Sequence, residues 1–319
     1  MPPEKRKDAK IMRINNNITA LNSHRQYGIN NGNIGKNVEK LSSGFRVNRA
    51  ADDAAGLAIS EKMRAQIRGL NMASKNSQDA VSLVQTAEGG MQTVQDILQR
   101  MRELAVQSAS DTNETKVDRA ALQLEVNQLI EEIDQIAVTT EFNKMQLLSG
   151  QFEKGADYKI AGTDGKLVDA DGKGAPLTIQ AGANQGQTMT ITVTAMTAAR
   201  LKVTNLKVEN PGSETAIGKE TGISNQKAAE AAISTIESAL NTVSMQRAEL
   251  GAFQNRLEFK IQNLNNQAEN VSAAESRIRD ADMAKMMTEF TKNSILFQAS
   301  TAMLAQANAL PQSVLQLLG

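Results

Sequence analysis

The chain has 319 residues, with 35 Lys and Arg set against 35 Asp and Glu, and neither Cys nor Trp. The length allows two or three domains, the balanced charge gives no basis for binding nucleic acid or an anionic membrane, and the missing cysteines exclude a disulfide framework, a thiolate metal site and a cysteine nucleophile. Aromatic volume comes from 7 Phe and 2 Tyr alone, so the apolar content is aliphatic side chains and Met, which suits long helices packed along seams rather than one globular enzyme core.

The first segment, MPPEKRKDAKI, is basic and leads into the polar stretch RINNNITALN. A cleaved secretory signal needs about 7–15 apolar residues at this point, so any export takes another route. No run of about 18 apolar residues exists to span a membrane. Ile14, Ile18 and Leu21, followed by Ile34, Val38 and Leu41 and then Phe45, form a helical stripe interrupted by INNGNIG (Ile29–Gly35). His24 lies within it among polar residues. As the chain's one histidine, it rules out any site that needs two imidazoles and reads as a surface residue.

Met63, Ile67, Leu70, Val81, Val84, Met91, Val94, Leu98 and Met101 recur mostly at steps of three, four or seven, which predicts a helix over 60–108. The polar break DTNET (Asp111–Thr115) ends it and offers N-cap residues to the next helix. In that helix Leu122, Val126, Leu129, Ile133 and Ile136 step four, three, four and three. From Phe152 to Thr221 the character changes: GTDG, DADGKG, GANQG and NPG read as turns. TMTITVT (Thr188–Thr194) alternates Met189, Ile191 and Val193 on one face, and LTIQ (Leu177–Gln180) is its hairpin partner.

Ile236, Val243, Leu250, Leu257, Leu264, Val271 and Ile278 then recur every seven residues. A companion row of Ile233, Leu240, Ile261 and Ala268 is interrupted by Arg247 and Gln254. These are heptad seams, and a helix over 226–278 would be roughly 80 Å long. Last, Met283, Phe290, Phe297 and Leu304 stand seven apart, flanked by Met286 and Ala307. Neither terminal stripe has a partner in the central rod. Such helices are marginal in water when isolated, so both ends are expected to be mobile until buried against each other or in neighbouring subunits. The Met residues read as core packing.

No catalytic constellation converges. Adjacent carboxylates such as Asp52 with Asp53 or Glu131 with Glu132 point in different directions on a helix. The glycine turns lack a P-loop pattern, and Asp164, Asp169 and Asp171 lack the ligand spacing of a calcium loop. No cofactor, metal or catalytic residue is assigned.

Three stretches carry a family likeness. INNNITALNSHR (Ile14–Arg25) with LSSGFRVNRAADDAAGLAIS (Leu41–Ser60) resembles the N-terminal signature of bacterial flagellins. LQRMRELAVQSAS (Leu98–Ser110) and EFNKMQLLSG (Glu141–Gly150) resemble their rod, and SRIRDADMAKMMTEFTKNSILFQASTAMLAQANALPQSVLQLLG (Ser276–Gly319) resembles their C-terminus. The resemblance implies a mainly α fold: a long coiled-coil-like helical hairpin rod with a small β-hairpin region, the termini forming a second, inner-tube helical domain. Its parts would be an N-terminal extension or misassigned start over 1–11, for which a misassigned start is the expectation, inner-tube segments at 12–55 and 279–319, rod helices at 56–151 and 222–278, and a β-rich variable middle at 152–221.

The resemblance further implies a secreted, self-assembling subunit of the flagellar filament, used in motility, and no enzyme. The self-assembly residues would be Ile14, Ile18, Leu21, Ile34, Val38, Leu41, Met283, Phe290, Phe297, Leu304, Val314, Leu315, Leu317 and Leu318. Partners would be further copies of the chain, an export chaperone holding about Met283–Leu318, the flagellar type III export apparatus, the filament cap and hook-junction proteins, but no nucleic acid and no membrane. The pattern contacted by the vertebrate Toll-like receptor for flagellin falls on Arg100, Leu104, Gln107 and Glu125. Val314, Leu315, Leu317 and Leu318 resemble the element sensed by cytosolic inflammasome receptors. A hook–filament junction protein shares the terminal patterns less faithfully. A soluble coiled-coil adaptor would explain the heptads but not the matched ends.

Overall fold

A computed structural model describes residues 17–110, 117–153, 157–161, 167–208 and 222–318. Five α-helices lie among the described residues: α1 (Ile18–Ser43), α2 (Ala54–Ala109), α3 (Asp118–Thr139), α4 (Gln226–Arg279) and α5 (Met283–Leu318). Three antiparallel two-stranded ladders accompany them: β1 (Glu141–Phe142) with β2 (Met145–Gln146), β3 (Asp157–Ala161) with β4 (Leu167–Lys173), and β5 (Leu177–Gln180) with β6 (Thr188–Ile191). The chain divides into two compact units, Gln66–Glu269 and Met1–Ala65 with Asn270–Gly319.

Within Gln66–Glu269, parts of α2 and α4 pack with α3 around one continuous core. Val84, Met91, Val94, Leu98 and Met101 of α2, Val126, Ile130 and Ile133 of α3, and Ile236, Val243, Leu250 and Leu257 of α4 are all buried in it. The heptad row of α4 is therefore the seam, as its spacing predicts. The companion row is not. Ile233, Leu240 and Ile261 are only half-buried, whereas Ala232, Ala239 and Gln246, one position earlier in the repeat, are buried. Small side chains let the backbones approach, and a helix facing two others buries a wider stripe than a two-stranded seam. Arg247, which interrupts the companion row, donates from one guanidinium nitrogen to Gln95 at 2.6 Å and pairs with Glu88 at 3.4 Å.

The hairpin expected between LTIQ and TMTITVT forms as β5–β6, with Leu177 opposite Ile191 and Gln180 opposite Thr188. GANQG makes its turn, where Gly186 adopts a positive φ of 80°. DADGKG is not a turn: Asp169 to Lys173 belong to β4, paired with β3 from Ala161↔Leu167 to Asp157↔Lys173. Cross-strand pairing overrides the turn propensity of two aspartates and a glycine. GTDG and NPG lie outside the described residues. EFNKMQ closes β1 on β2 through Asn143 (φ 50°) and Lys144 (φ 63°), the two positive-φ positions of a type I′ hairpin. DTNET also lies outside the described residues. The N-cap position is Val117, with no side-chain bond, and Asp118 supplies negative charge in the first turn.

Polar side chains of α3 stitch the irregular segments to the rod. Gln123 donates to the Leu206 carbonyl at 2.7 Å and accepts from the Ile223 amide at 2.6 Å. Asn127 donates to the Val208 carbonyl at 2.8 Å and accepts from the Val208 amide at 3.1 Å. Arg119 donates to the carbonyls of Ser108 and Ser110, each at 3.0 Å. The bonds of Gln123 and Asn127 are buried, where a backbone group left unpaired would be costly.

Candidate assembly surface

The terminal unit is built on an antiparallel pair, α1 with α5. Asn17 caps α1 by accepting from the Ala20 amide at 3.1 Å, and its Nδ2 donates to the Ala307 carbonyl at 2.7 Å. Further along, Asn30 Nδ2 donates to Ser300 Oγ at 2.7 Å, and the Tyr27 and Phe297 rings meet at 4.8 Å. At the far end, Ala281 N–H donates to the Gly44 carbonyl at 2.9 Å. His24 is exposed and stacks near Tyr27.

The inward face of α1 is Ala20, Ser23, Tyr27, Asn30, Ile34, Asn37 and Leu41, and that of α5 is Met286, Phe290, Asn293, Phe297, Ser300, Leu304 and Ala307. Both step by threes and fours, a coiled-coil seam. Its chemistry is unusual, because the two fully buried residues of α1 are Asn30 and Asn37. Asn30 is paired, while the Nδ2 of Asn37 is buried without a hydrogen-bond partner.

The expected assembly residues split between this seam and the outside. Ile34, Leu41, Phe290, Phe297 and Leu304 are half-buried in the seam. Ile18 (61% exposed), Leu21 (66%), Val38 (48%) and Met283 (48%) face away from it, as do Ile29, Met287, Ile295, Leu296, Met303 and Leu310, which the sequence stripes do not single out. The terminal helices thus find partial partners in each other and keep a large apolar surface uncovered. Ile14 lies outside the described residues. Val314, Leu315, Leu317 and Leu318 fall on the last turns of α5, where side chains lie outside the described set.

The two most distinctive terminal motifs meet in one place. Phe45, from LSSGFRVN, bridges in antiparallel fashion to Asp280, from SRIRDAD. The Arg279 guanidinium lies 4.9 Å from the Phe45 ring centroid and that of Arg64 lies 5.7 Å from it, a double cation–π contact. Arg279 also pairs with Glu61 at 2.7 Å, Arg64 with Glu275 at 3.2 Å, and Arg46 donates to the Ile278 carbonyl at 2.6 Å. The carboxylates of AADDAAG serve the backbone rather than each other. Asp53 caps α2 by accepting from the Gly56 amide at 2.8 Å, and Asp52 accepts from the amides of Asn48 and Arg49 at 3.2 and 3.1 Å. The Arg49 and Asn48 amides hold the Asp52 carboxyl below its ordinary range. A Phe in a loop gives no periodic signal, so the sequence stripe includes Phe45 without revealing the joint.

On the rod, Arg100 of α2 donates to Glu125 of α3 at 2.9 Å and to Glu103 at 3.0 Å. Those bonds, Glu125 first, raise the Arg100 pKa further above its already basic range. Gln107 is exposed on the same helix. Leu104 is not on this surface. It is 1% exposed and belongs to the bundle core, because its step of three from Met101 places it on the buried stripe. Met91, Met101 and Met196 are core residues, as expected, but Met72, Met245, Met283, Met287 and Met303 are exposed. Among the described residues no group of His, Cys, Asp and Glu could hold a metal ion, and no helix is long and apolar enough to cross a membrane.

Residues 14–153 match the bacterial flagellin N-terminal helical region and residues 233–318 the bacterial flagellin C-terminal helical region. A flagellin from Halalkalibacterium halodurans is 51% identical over 307 residues, covering 96% of this chain and 100% of that one. A flagellin from Bacillus subtilis is 50% identical over 319 residues, with the same two coverages of 96% and 100%. A structure described as a flagellar hook-associated protein from Vibrio parahaemolyticus superposes with a TM-score of 0.54 at 16% identity, covering 72% of this chain and 100% of that one, a likeness of fold.

Proposed function

The chain belongs to the bacterial flagellin family, and from that premise we propose that the uncovered faces of α1 and α5 carry its polymerisation while the rod surface around Arg100 is read by other proteins. Members of this family build the flagellar filament outside the cell; this chain is a structural subunit of that filament, used in motility, and not an enzyme. One observation supports the assignment of the assembly face. Ile18, Leu21, Ile295 and Met303 are each at least 60% exposed on helices that already pair with one another. Burying such side chains contributes about 1.5–3 kcal/mol each, so a helical polymer of identical copies is the natural destination of that surface. In this reading 12–55 and 279–319 form the inner tube, 56–151 and 222–278 form the rod, and 152–221 is the variable middle.

Before assembly, the same apolar face of α5 needs shielding. We assign that role to a dedicated export chaperone on Met283–Leu318, with passage through the flagellar type III export apparatus and incorporation beneath a cap, beyond the hook-junction proteins. Electron microscopy of the purified chain seeded with filament fragments tests the core of the proposal. Long filaments are expected from the full chain and none after deletion of 12–43 or 283–318. Growth by either deleted form would overturn it.

For the Toll-like receptor, the exposed Arg100, Gln107 and Glu125 form the readable patch, while Leu104 acts from beneath by fixing α2. Arg100→Ala with Glu125→Ala should therefore cut receptor signalling by the monomer with little change in folding. Full signalling by that double variant would remove the assignment.

A further inference from the structure

Without cysteine, the softest nucleophile in the chain is the methionine thioether. The structure sorts these sulfurs sharply. Met91, Met101 and Met196 are 0% exposed and Met286 9%, whereas Met283 is 48%, Met287 51% and Met303 62% exposed. All three accessible residues of that second group lie on α5, one of the two helices whose uncovered surface the proposed polymerisation buries. Met72 and Met245, also exposed, lie on the rod helices.

We propose that Met283, Met287 and Met303 are an oxidation site through which peroxide-class oxidants arrest polymerisation of the free subunit. The inference rests on the assembly reading above. In the step itself, a thioether sulfur attacks one peroxide oxygen. The O–O bond breaks, an S–O bond forms, the sulfur loses two electrons, and hydrogen peroxide leaves as water. The product is a polar, chiral sulfoxide where the polymer needs an apolar side chain, and its oxygen would be buried in the inner contacts without a donor. Oxidised subunits are then excluded from growth, while subunits already assembled have these sulfurs covered. Met286 is an internal control: it neighbours Met287 in sequence but turns into the α1–α5 seam.

The experiment treats the full-length monomer with hydrogen peroxide, removes the excess with catalase, maps sulfoxides by peptide mass spectrometry and follows seeded filament growth. Met283, Met287 and Met303 are expected to oxidise about tenfold faster than Met286 or Met91, and growth to slow by about tenfold. Pre-formed filaments given the same dose should show little sulfoxide at the three positions. The variant Met283→Leu/Met287→Leu/Met303→Leu conserves side-chain volume, and its growth after treatment should equal its own growth before treatment, whatever that starting rate is. Met287→Gln/Met303→Gln, which places polar groups there permanently, should grow slowly without oxidant. Undiminished growth of oxidised wild-type subunits would overturn the proposal. So would an equal fractional loss in the triple Leu variant, since the lesion would then lie at another of the chain's 14 methionines. Failure of the untreated wild-type chain to extend seeds would instead defeat the assembly reading itself.

Discussion

The rod and the terminal pair use the same spacing of threes and fours and fill it with opposite chemistry. On α4 the buried positions are Ala228, Ala229, Ala232, Ile236, Ala239, Val243, Gln246, Leu250, Leu257 and Leu264, with one polar residue among them. Gln246 is satisfied, accepting from Thr194 at 2.6 Å and donating to the Thr192 carbonyl at 3.3 Å. On α1 the fully buried positions are asparagines. A polar residue in a seam fixes register at a cost in stability. The rod is thus built to stand within one chain. The terminal pair is built to align two helices in one register and to draw the rest of its stability from elsewhere. Gly28, Gly32 and Gly35 of α1 point the same way: a side chain there would meet only open space, so no packing need within the chain offsets the helix propensity they lose, about 1 kcal/mol each.

The difference is most exposed by truncating one residue of each seam. Leu104→Ala removes a fully buried rod side chain and should cost ~2–5 kcal/mol. Ile34→Ala, half-buried in the terminal pair, should cost the monomer no more than about 1 kcal/mol. Urea unfolding followed by circular dichroism measures both. Equal losses would mean that the two seams carry the same share of stability, and the contrast would fail.

A smaller loss is expected from the polar clamp of α3. Gln123→Ala leaves the Ile223 amide and the Leu206 carbonyl without their partner and should cost ~1–3 kcal/mol. Amide exchange at Ile223 should accelerate in the variant. Unchanged protection there would show that the clamp is decorative.

That clamp also marks where sequence reading stops. The rod, the hairpin β5–β6 and both terminal stripes were legible because apolar side chains recur with a period, and periodicity survives in one dimension. Arg119, Gln123 and Asn127 stand four apart on α3, but that spacing does not name their partners, which are backbone groups far along the chain or across a helix end. The shift of the companion row from Ile233 and Leu240 to Ala232 and Ala239 was hidden for another reason. Alanine is a weak hydrophobic signal, and only the width of a three-helix contact makes it a core residue. Asn30, inside INNGNIG, and Asn37, just beyond it, read as a break in the apolar stripe of α1. They are in fact its most buried residues. The joint at Phe45 needs two motifs from opposite ends of the chain to meet, which spacing alone does not encode.

The two asparagines offer a test with opposite signs. Asn37→Leu removes a buried amide nitrogen with no partner and should stabilise the α1–α5 pair by about 1 kcal/mol. Asn30→Leu removes the bond that Ser300 Oγ accepts, leaving only the one it donates to the Leu296 carbonyl, and should destabilise the pair by up to ~1 kcal/mol. Protease sensitivity of α1 in the monomer reads both. If the two variants moved together, the seam asparagines would not be distinguishable as a register pair and an orphan.

The smallest effect is expected where α1 leads into α2, and it depends on pH. Asp52 is exposed, and its carboxyl is held below the ordinary value by the Arg49 and Asn48 amides. A carboxylate with a depressed folded pKa stabilises the fold above its unfolded value of about 3.9, and that contribution is lost as pH falls through the lower folded value. The loop Asn48–Asp52 should therefore hold at neutral pH and loosen below about pH 4, seen as faster amide exchange at Asn48 and Arg49. Asp52→Asn keeps an acceptor oxygen but does not titrate, so its weaker protection should not change across that window. If the wild type and the variant lost protection at the same pH, the carboxylate would not be the holding group. The loop would then be fixed by the Phe45 joint with Arg64 and Arg279 and by their pairs with Glu275 and Glu61.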